Sequence, residues 1–295
     1  MKRTLGAWGR RVVGACLAGP LRLAGYRIER QQAPLQDMRA PGRCPTPLEG
    51  MYVSKQRRYV VDVPLALLAS TNLMHIWIEV IRVYERGGRG AALRFFSDYF
   101  NEFQPRNVAE FLNVMPNKKW LLLDPLAYVY PWDASTPEEK REFRIKLMRD
   151  EAKKNGFEAW REEDGWKGFG PVSPKLVEME LKRLIDAYES IRSIGLREEF
   201  GLIRARIFST KGEEVIQPRH GWHRVAICLA LEIESIPMLF DKDNPVIRLE
   251  EAHLWPNVRR GLYTEEEATD FFRRRFERHL QERLWPKREV IRQAV

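Results

Sequence analysis

One stretch limits the possible folds more than any other. It begins Lys211-Gly212-Glu213-Glu214-Val215-Ile216-Gln217-Pro218-Arg219-His220-Gly221-Trp222-His223-Arg224 and continues to Phe240. Glu214 to Gln217 is a short β run. Pro218 lacks an N–H and Gly221 breaks the pattern, so residues 218–222 are expected to turn. From His223 onward Val225, Cys228 and Leu229 recur on one helical face, with Ile227 and Leu231 beside them. Ile236 to Phe240 is a second strand. A loop rich in His and Arg that opens a helix suits an anion, because free N–H groups and the positive helix end point at one place. Gly221 lets a phosphate approach the backbone, and Arg224 can donate two hydrogen bonds to it.

Gly221-Trp222-His223-Arg224, followed by Ala226, Leu229, Ala230 and Ser235-Ile236-Pro237, resembles the Gly-x-His-Arg segment of the ParB/sulfiredoxin superfamily. The upstream order also fits: a helix ending Ser190-Ile191 and Gly195, then a strand near Leu202 to Phe208. The resemblance covers residues 173–240. It implies a small α/β module that binds a nucleoside triphosphate, ATP or CTP with Mg²⁺, with this loop on the phosphates. Members include segregation CTPases, sulfiredoxins and free-serine kinases. Carried onto this chain, the phosphate-binding residues are Arg219, His220, Gly221, Trp222, His223 and Arg224. Two departures stand out. Many members have Asp where this chain has His220. Sulfiredoxins carry a nucleophilic Cys where this chain has Trp222, which argues against their chemistry. Cys228, on the apolar side of the helix, reads as a small core residue.

The segment Glu162 to Ser173 holds three Gly and a Pro among Trp166, Lys167 and Phe169. Over residues 55–275 the chain resembles a set of bacterial ParB-like proteins that share Gly-Trp-Lys…Phe-Gly-Pro-Val-Ser. They also share Phe-Gln-Pro-Arg…Ala-Glu, here Phe103 to Glu110. That set is associated with surface-polysaccharide loci, which implies a sugar or lipid-linked sugar as acceptor. Trp166 would stack on a base or sugar and Lys167 would reach a phosphate; a packed Ω-type loop is the alternative reading.

For catalysis, Glu213 or Glu214 would activate an acceptor hydroxyl, with His223 at the phosphates. Asp241 and Asp243, just beyond a strand, would hold Mg²⁺; a polar turn is the other reading. Glu180 and Arg183 flank an apolar helical stripe and read as solvated or ion-paired. Arg273 to Arg275 read as a solvated basic run. The chain has no Walker loop, no Gly-x-Gly-x-x-Gly, no His-Glu-x-x-His and no Cys pair at zinc spacing.

Charge is uneven. Of the net +9, residues 1–43 supply most, with nine Lys or Arg against Glu29 and Asp37. A basic patch on the rest is not required, and only one long helix is expected after Phe240. Both argue against a nucleic-acid partner. Residues 1–30 mix Arg with Leu5, Trp8, Val12, Leu17 and Leu21. They read as a basic amphipathic arm for an anionic membrane surface; a disordered basic arm and an export signal are rivals. Three widely spaced Cys point to a reducing compartment. The expected location is cytoplasmic, peripheral on the inner face of the membrane.

The expected class is α+β: a small ParB/sulfiredoxin-like α/β module packed with a mainly helical N-terminal region and a C-terminal helix. The expected divisions are 1–48 arm and Pro-rich linker, 49–172 helical region, 173–245 module and 246–295 helical extension. Helices are expected over 73–86 and 91–103, separated by Gly87, Gly88 and Gly90. Others begin at Thr136, Ser173 and Thr264, each with a capping residue before Glu or Pro. Two functions follow: a nucleotide-dependent phosphotransferase or NTPase, or a non-catalytic module for a phosphorylated ligand or glycan precursor. A DNA-binding ParB-like factor is third.

Overall fold

The computed structural model describes residues 34–40, 46–55, 57–69, 72–241 and 246–276. The arm over 1–30, Asp243 and the end of the chain lie outside them. The described residues from Gln36 onward form one compact unit.

The class is α+β, a mixed sheet with helices. Its strands are β1 (Gln36–Asp37), β2 (Tyr59–Pro64), β3 (Ile203–Thr210), β4 (Glu213–Pro218), β5 (Ser235–Phe240) and β6 (Ile247–Arg248). The helices are α1 (Pro47–Val53), α2 (Asn72–Glu102), α3 (Val108–Leu112), α4 (Pro137–Lys154), α5 (Pro174–Ile194), α6 (Trp222–Ala230), α7 (Pro256–Arg259) and α8 (Glu265–Arg273). Strand order is β1-β2-β5-β3-β4, with β6 also on β3. The β2–β5 and β3–β4 pairs are antiparallel; β1–β2, β3–β5 and β3–β6 are parallel.

Side chains alternate across a strand, so β3 and β4 serve two cores. Ile203, Ala205, Ile207 and Ile216 join one cluster with α2, α5 and α6. Phe208 and Val215 join a second with Trp132, Trp255 and Phe272. The first cluster runs from Met38 through Met74 and Phe95 to Val225 and Phe240. The first cluster crosses the division at 172 and the second that at 245. The Pro-rich stretch is not all linker: it supplies β1, and Thr46 caps α1 by accepting from the Glu49 N–H. Pro spacing suggested a linker because a two-residue strand has no pattern of its own.

Local signals mostly hold. Thr136 and Thr264 form capping boxes, and Ser173 and Asn107 cap α5 and α3. The two helices expected around Gly87–Gly90 are one element broken at Gly88 (φ 71, ψ −174). The aromatic run Phe95, Phe96, Tyr99 and Phe100 is buried core, and His75 is half-buried. After Phe240, β6, α7 and α8 replace the single long helix; α8 ends at Arg273. Arg275 is buried rather than solvated, its guanidinium 4.5 Å over Tyr130 and 5.7 Å over Trp132. Arg144 of α4 is buried too, lying over Tyr128 and donating to its carbonyl at 2.7 Å. Asn257 ties the C-terminal part to the 130–133 turn by donating to the Tyr130 and Asp133 carbonyls.

The Glu162–Ser173 segment is packed against α2. The Tyr99 hydroxyl donates to the Gly168 carbonyl at 2.6 Å, and the Gly170 N–H to the Phe103 carbonyl at 2.9 Å. A Cβ on Gly170 would sit 1.7 Å from the Phe100 carbonyl oxygen. Gly170→Ala is expected to lower stability by about 1–3 kcal/mol or more, by overpacking against backbone. Gly90→Ala, in a helix where a Cβ meets only the tip of Arg94 at 3.7 Å, is expected to raise it by about 0.5–1 kcal/mol. Urea midpoints of the two variants check both; equal midpoints would contradict the packing described.

Candidate functional site

The loop leaves β4 at Pro218 and reaches α6 in three residues. The Arg219 N–H still donates to the Arg204 carbonyl at 2.7 Å, extending the β3–β4 ladder by one rung. Gly221 then takes a left-handed conformation (φ 76, ψ 26) as the cap of α6, and no side chain caps that helix. A Cβ at Gly221 would stand 2.9 Å from the Arg224 guanidinium and 3.1 Å from Ile203, so glycine is required there on two counts. Among the described residues, the N–H groups of Trp222, His223 and Arg224 have no partner. These are the orphan donors that make a helix start attractive to anions.

The two motif side chains beyond the loop are already engaged. Arg224 turns back and donates to the Gly201 carbonyl; burial lowers its pKa. His223 packs edge-on against Trp77, ring centroids 4.3 Å apart. Its Nε2 faces Glu180 Oε2 at 3.4 Å. Burial pushes His223 below the ordinary histidine range, against the pull of Glu180, so the ring is neutral at pH 7. Glu180 is 1% exposed; of the two sequence readings, solvated or ion-paired, it is the ion-paired one. Burial would raise it, but the His223 contact and the charges of Lys167 and Arg183 overturn that and hold it down at about 2. Arg183 donates to Glu180 at 2.6 Å. Cys228 is buried, and burial pushes its thiol up to about 11; it is a core residue. Trp222 is half-buried against the first cluster.

The other sequence-predicted residues fall into three places. Glu213 and Glu214 begin β4, and the loop leaves its other end. Glu214 is about 13 Å of strand from Pro218, accepts from the Leu48 N–H at 3.2 Å and is raised by burial; Glu213 is exposed. The structure does not bring either to the loop, because an extended strand separates them from it. Lys167 is paired with Glu151 and lies over the Trp166 ring at 5.9 Å. Trp166 is half-buried against the third cluster, so this segment is the packed loop and not an open clamp. Asp241 is buried, 3.7 Å from Arg204 Nε. Asp243 lies outside the described residues. Among those residues no three His, Cys, Asp or Glu side chains are grouped to hold a metal ion, and no helix is long and apolar enough to cross a membrane.

Sequence reasoning missed a basic face beside the loop. On β3 and β4, Arg206 pairs across with Gln217, and two rungs further, on the same face, Arg204 lies across from Arg219. His220 follows; burial and the charges of Arg204 and Arg219 lower its pKa. Lys140 of α4 lies 3.7 Å from Asp133 and is near enough to Arg206 and Arg219 to feel their charge. Burial lowers Lys140, with Arg144, Arg219 and Arg206 adding to the effect against Asp133. The available signal was Ile203-Arg204-Ala205-Arg206, a period-two placement of Arg on one strand face.

Comparison with protein-family models, with curated proteins and with solved structures finds no match for this chain.

The Glu180–His223 contact sets an acid response whose sign can be worked out. Glu180 titrates near 2 folded and 4.5 ordinarily. Its stabilisation is therefore complete above pH 4.5 and lost as pH falls toward 2. His223 is lowered from 6.5, so the unfolded chain takes its proton first and stability also falls as pH drops below 6.5. Glu180→Gln is expected to cost about 3 kcal/mol at pH 7 and to flatten the limb between pH 4.5 and 2. Chemical denaturation across pH reads both; an unchanged acid limb would show that Glu180 is not the titrating group.

Proposed function

We propose that the chain binds a phosphorylated ligand, a nucleoside triphosphate with Mg²⁺, at the loop Arg219–Gly221 and the start of α6. The observation that carries this is the uncapped start of α6, reached through a left-handed glycine and flanked by Arg219, Arg204 and His220. The strand–loop–helix–strand order is that of the ParB/sulfiredoxin resemblance. The proposed activity is that of a ParB-like phosphotransferase or NTPase. Phosphoryl transfer depends on positioning and charge stabilisation, and the loop offers donors for both. A sugar or lipid-linked sugar as acceptor rests on the resemblance alone.

One observation favours a second reading, a binding module without turnover. Glu213 and Glu214 stand at the far end of β4, and His223 is held by Glu180. No acceptor base of the sequence reading lies at the loop.

Thermal melts of the full chain with ATP, GTP, CTP, UTP, ADP and nucleotide sugars, each with Mg²⁺, test the proposal. A ligand at about 100 times its Kd should add about 2.7 kcal/mol. Stabilisation with product formed supports the enzyme; stabilisation without product supports the module. A folded protein that no nucleotide stabilises overturns the nucleotide reading.

A further inference from the structure

Arg206 is the most unusual charge in the fold. It lies within β3 and is 8% exposed, and its Nε and Nη1 are fully buried with no hydrogen-bond partner. No carboxylate reaches it at ion-pair distance among the described residues, and no aromatic ring lies beneath it. A buried guanidinium without a partner is among the most costly groups a core can hold. Its neighbours add to the cost. Arg219 shares the face two rungs along, Arg204 lies across from Arg219, and Lys140 comes from α4. Like charges opposite one another on a sheet destabilise it.

Among the described residues two carboxylates, Asp133 and Asp241, stand near this face, and neither is free for Arg206. Asp133 is 3.7 Å from Lys140 and accepts from the Tyr130 N–H; Asp241 is 3.7 Å from Arg204. Among the described residues four cations thus face two carboxylates. The shortage shows in Arg206 itself: burial first, and then the charge of Arg219, lower it to about 10 against the pull of Asp133.

We propose that Arg206, Arg219 and Lys140 form an anion site for a phosphate dianion on the β3–β4 face. The class follows from the donors. Guanidinium groups and an ammonium converging from a sheet and a helix match a group with several acceptor oxygens and two charges. A single carboxylate would leave charge uncompensated. The site is built by the sheet face and α4, not by Arg224 or His223. It deepens the phosphate reading above by placing the strongest anion anchor beside the loop. The phosphate belongs to a nucleotide or to a sugar phosphate, and the two sources are separated by the probes.

The test uses the full chain, wild type and Arg206→Met, with Lys140→Met as a second variant and exposed Arg161→Met as control. Equilibrium dialysis with radiolabelled inorganic phosphate reads affinity, at ionic strength matched with chloride. Melts without phosphate read stability, since phosphate stabilises proteins generally by exclusion. Wild type and Arg161→Met are expected to bind phosphate saturably, and Arg206→Met and Lys140→Met at least tenfold more weakly. Arg206→Met is expected to melt no lower than wild type in chloride, because it removes a buried unpaired charge. That pairing of lost binding with kept stability is not what a purely structural arginine would give. No saturable binding by wild type, equal binding by both site variants, or a sharply lower melting point for Arg206→Met overturns the site. If Arg206→Met does not fold, Arg206 is structural and the site falls.

Sugar phosphate and ATP, competed against the label, assign the source. Nucleotides that stabilise wild type and Arg206→Met alike would leave the nucleotide reading standing without this site. Phosphate binding that depends on Arg206, with no nucleotide binding tighter than phosphate, would leave the site standing without the nucleotide.

Discussion

The buried carboxylate of Glu180 is the interaction on which the rest of this architecture turns. It comes from the middle of α5 and meets His223 in the first turn of α6. Without a partner, a carboxylate at this depth would not stay ionised. Arg183 donates to it directly, and Lys167 adds charge from the packed loop. One carboxylate thereby links α5 to the first turn of α6 and feels the charge of the Glu162–Ser173 segment. The exposed end of α6 points as it does because its second residue is anchored inside. His223, expected from the sequence at a phosphate, packs instead between Trp77 and Glu180.

The fold was legible wherever information was local. Thr136, Ser173 and Thr264 announced their helices because capping is settled within four residues. The period of Val177, Leu181, Leu184, Tyr188 and Ile191 announced a buried face, and all five are buried. The strands flanking the loop were found to within a residue or two. What local pattern could not carry was partnership. Nothing in Gln36-Asp37 says that it pairs with Tyr59-Val60, and nothing in Arg273–Arg275 says which arginine turns in beneath Tyr130. Charged residues read as surface by default, and Arg144, Arg206 and Arg275 are buried against that default, each by elements distant in sequence.

The candidate site divides the same way. The loop itself was legible from Pro218, Gly221 and the helical period after it. The engaged state of its side chains was not, since Arg224 meets Gly201 and His223 meets Glu180 only once the chain is folded. Glu213 and Glu214 were attractive because they are near in sequence, yet an extended strand carries near residues far apart. The basic face had a signature in Ile203-Arg204-Ala205-Arg206. Recognising it required knowing that α4 and the 130–133 turn cover that side of the sheet.

The sheet also imposes an order in time. Tyr59 to Pro64 pairs with Ser235 to Phe240, rung for rung, and the Tyr59 ring stacks on Phe240 with centroids 5.2 Å apart. On the ribosome β2 has only the two-residue β1 beside it until β5 emerges, more than half the chain later. The helices α2 and α5 can form meanwhile, but their apolar faces have no finished sheet to close upon. Contacts this distant in sequence slow folding and leave an unpaired strand exposed during synthesis. A ribosome stalled before residue 240 would therefore display an open edge, and any factor that shields nascent chains would meet this protein there.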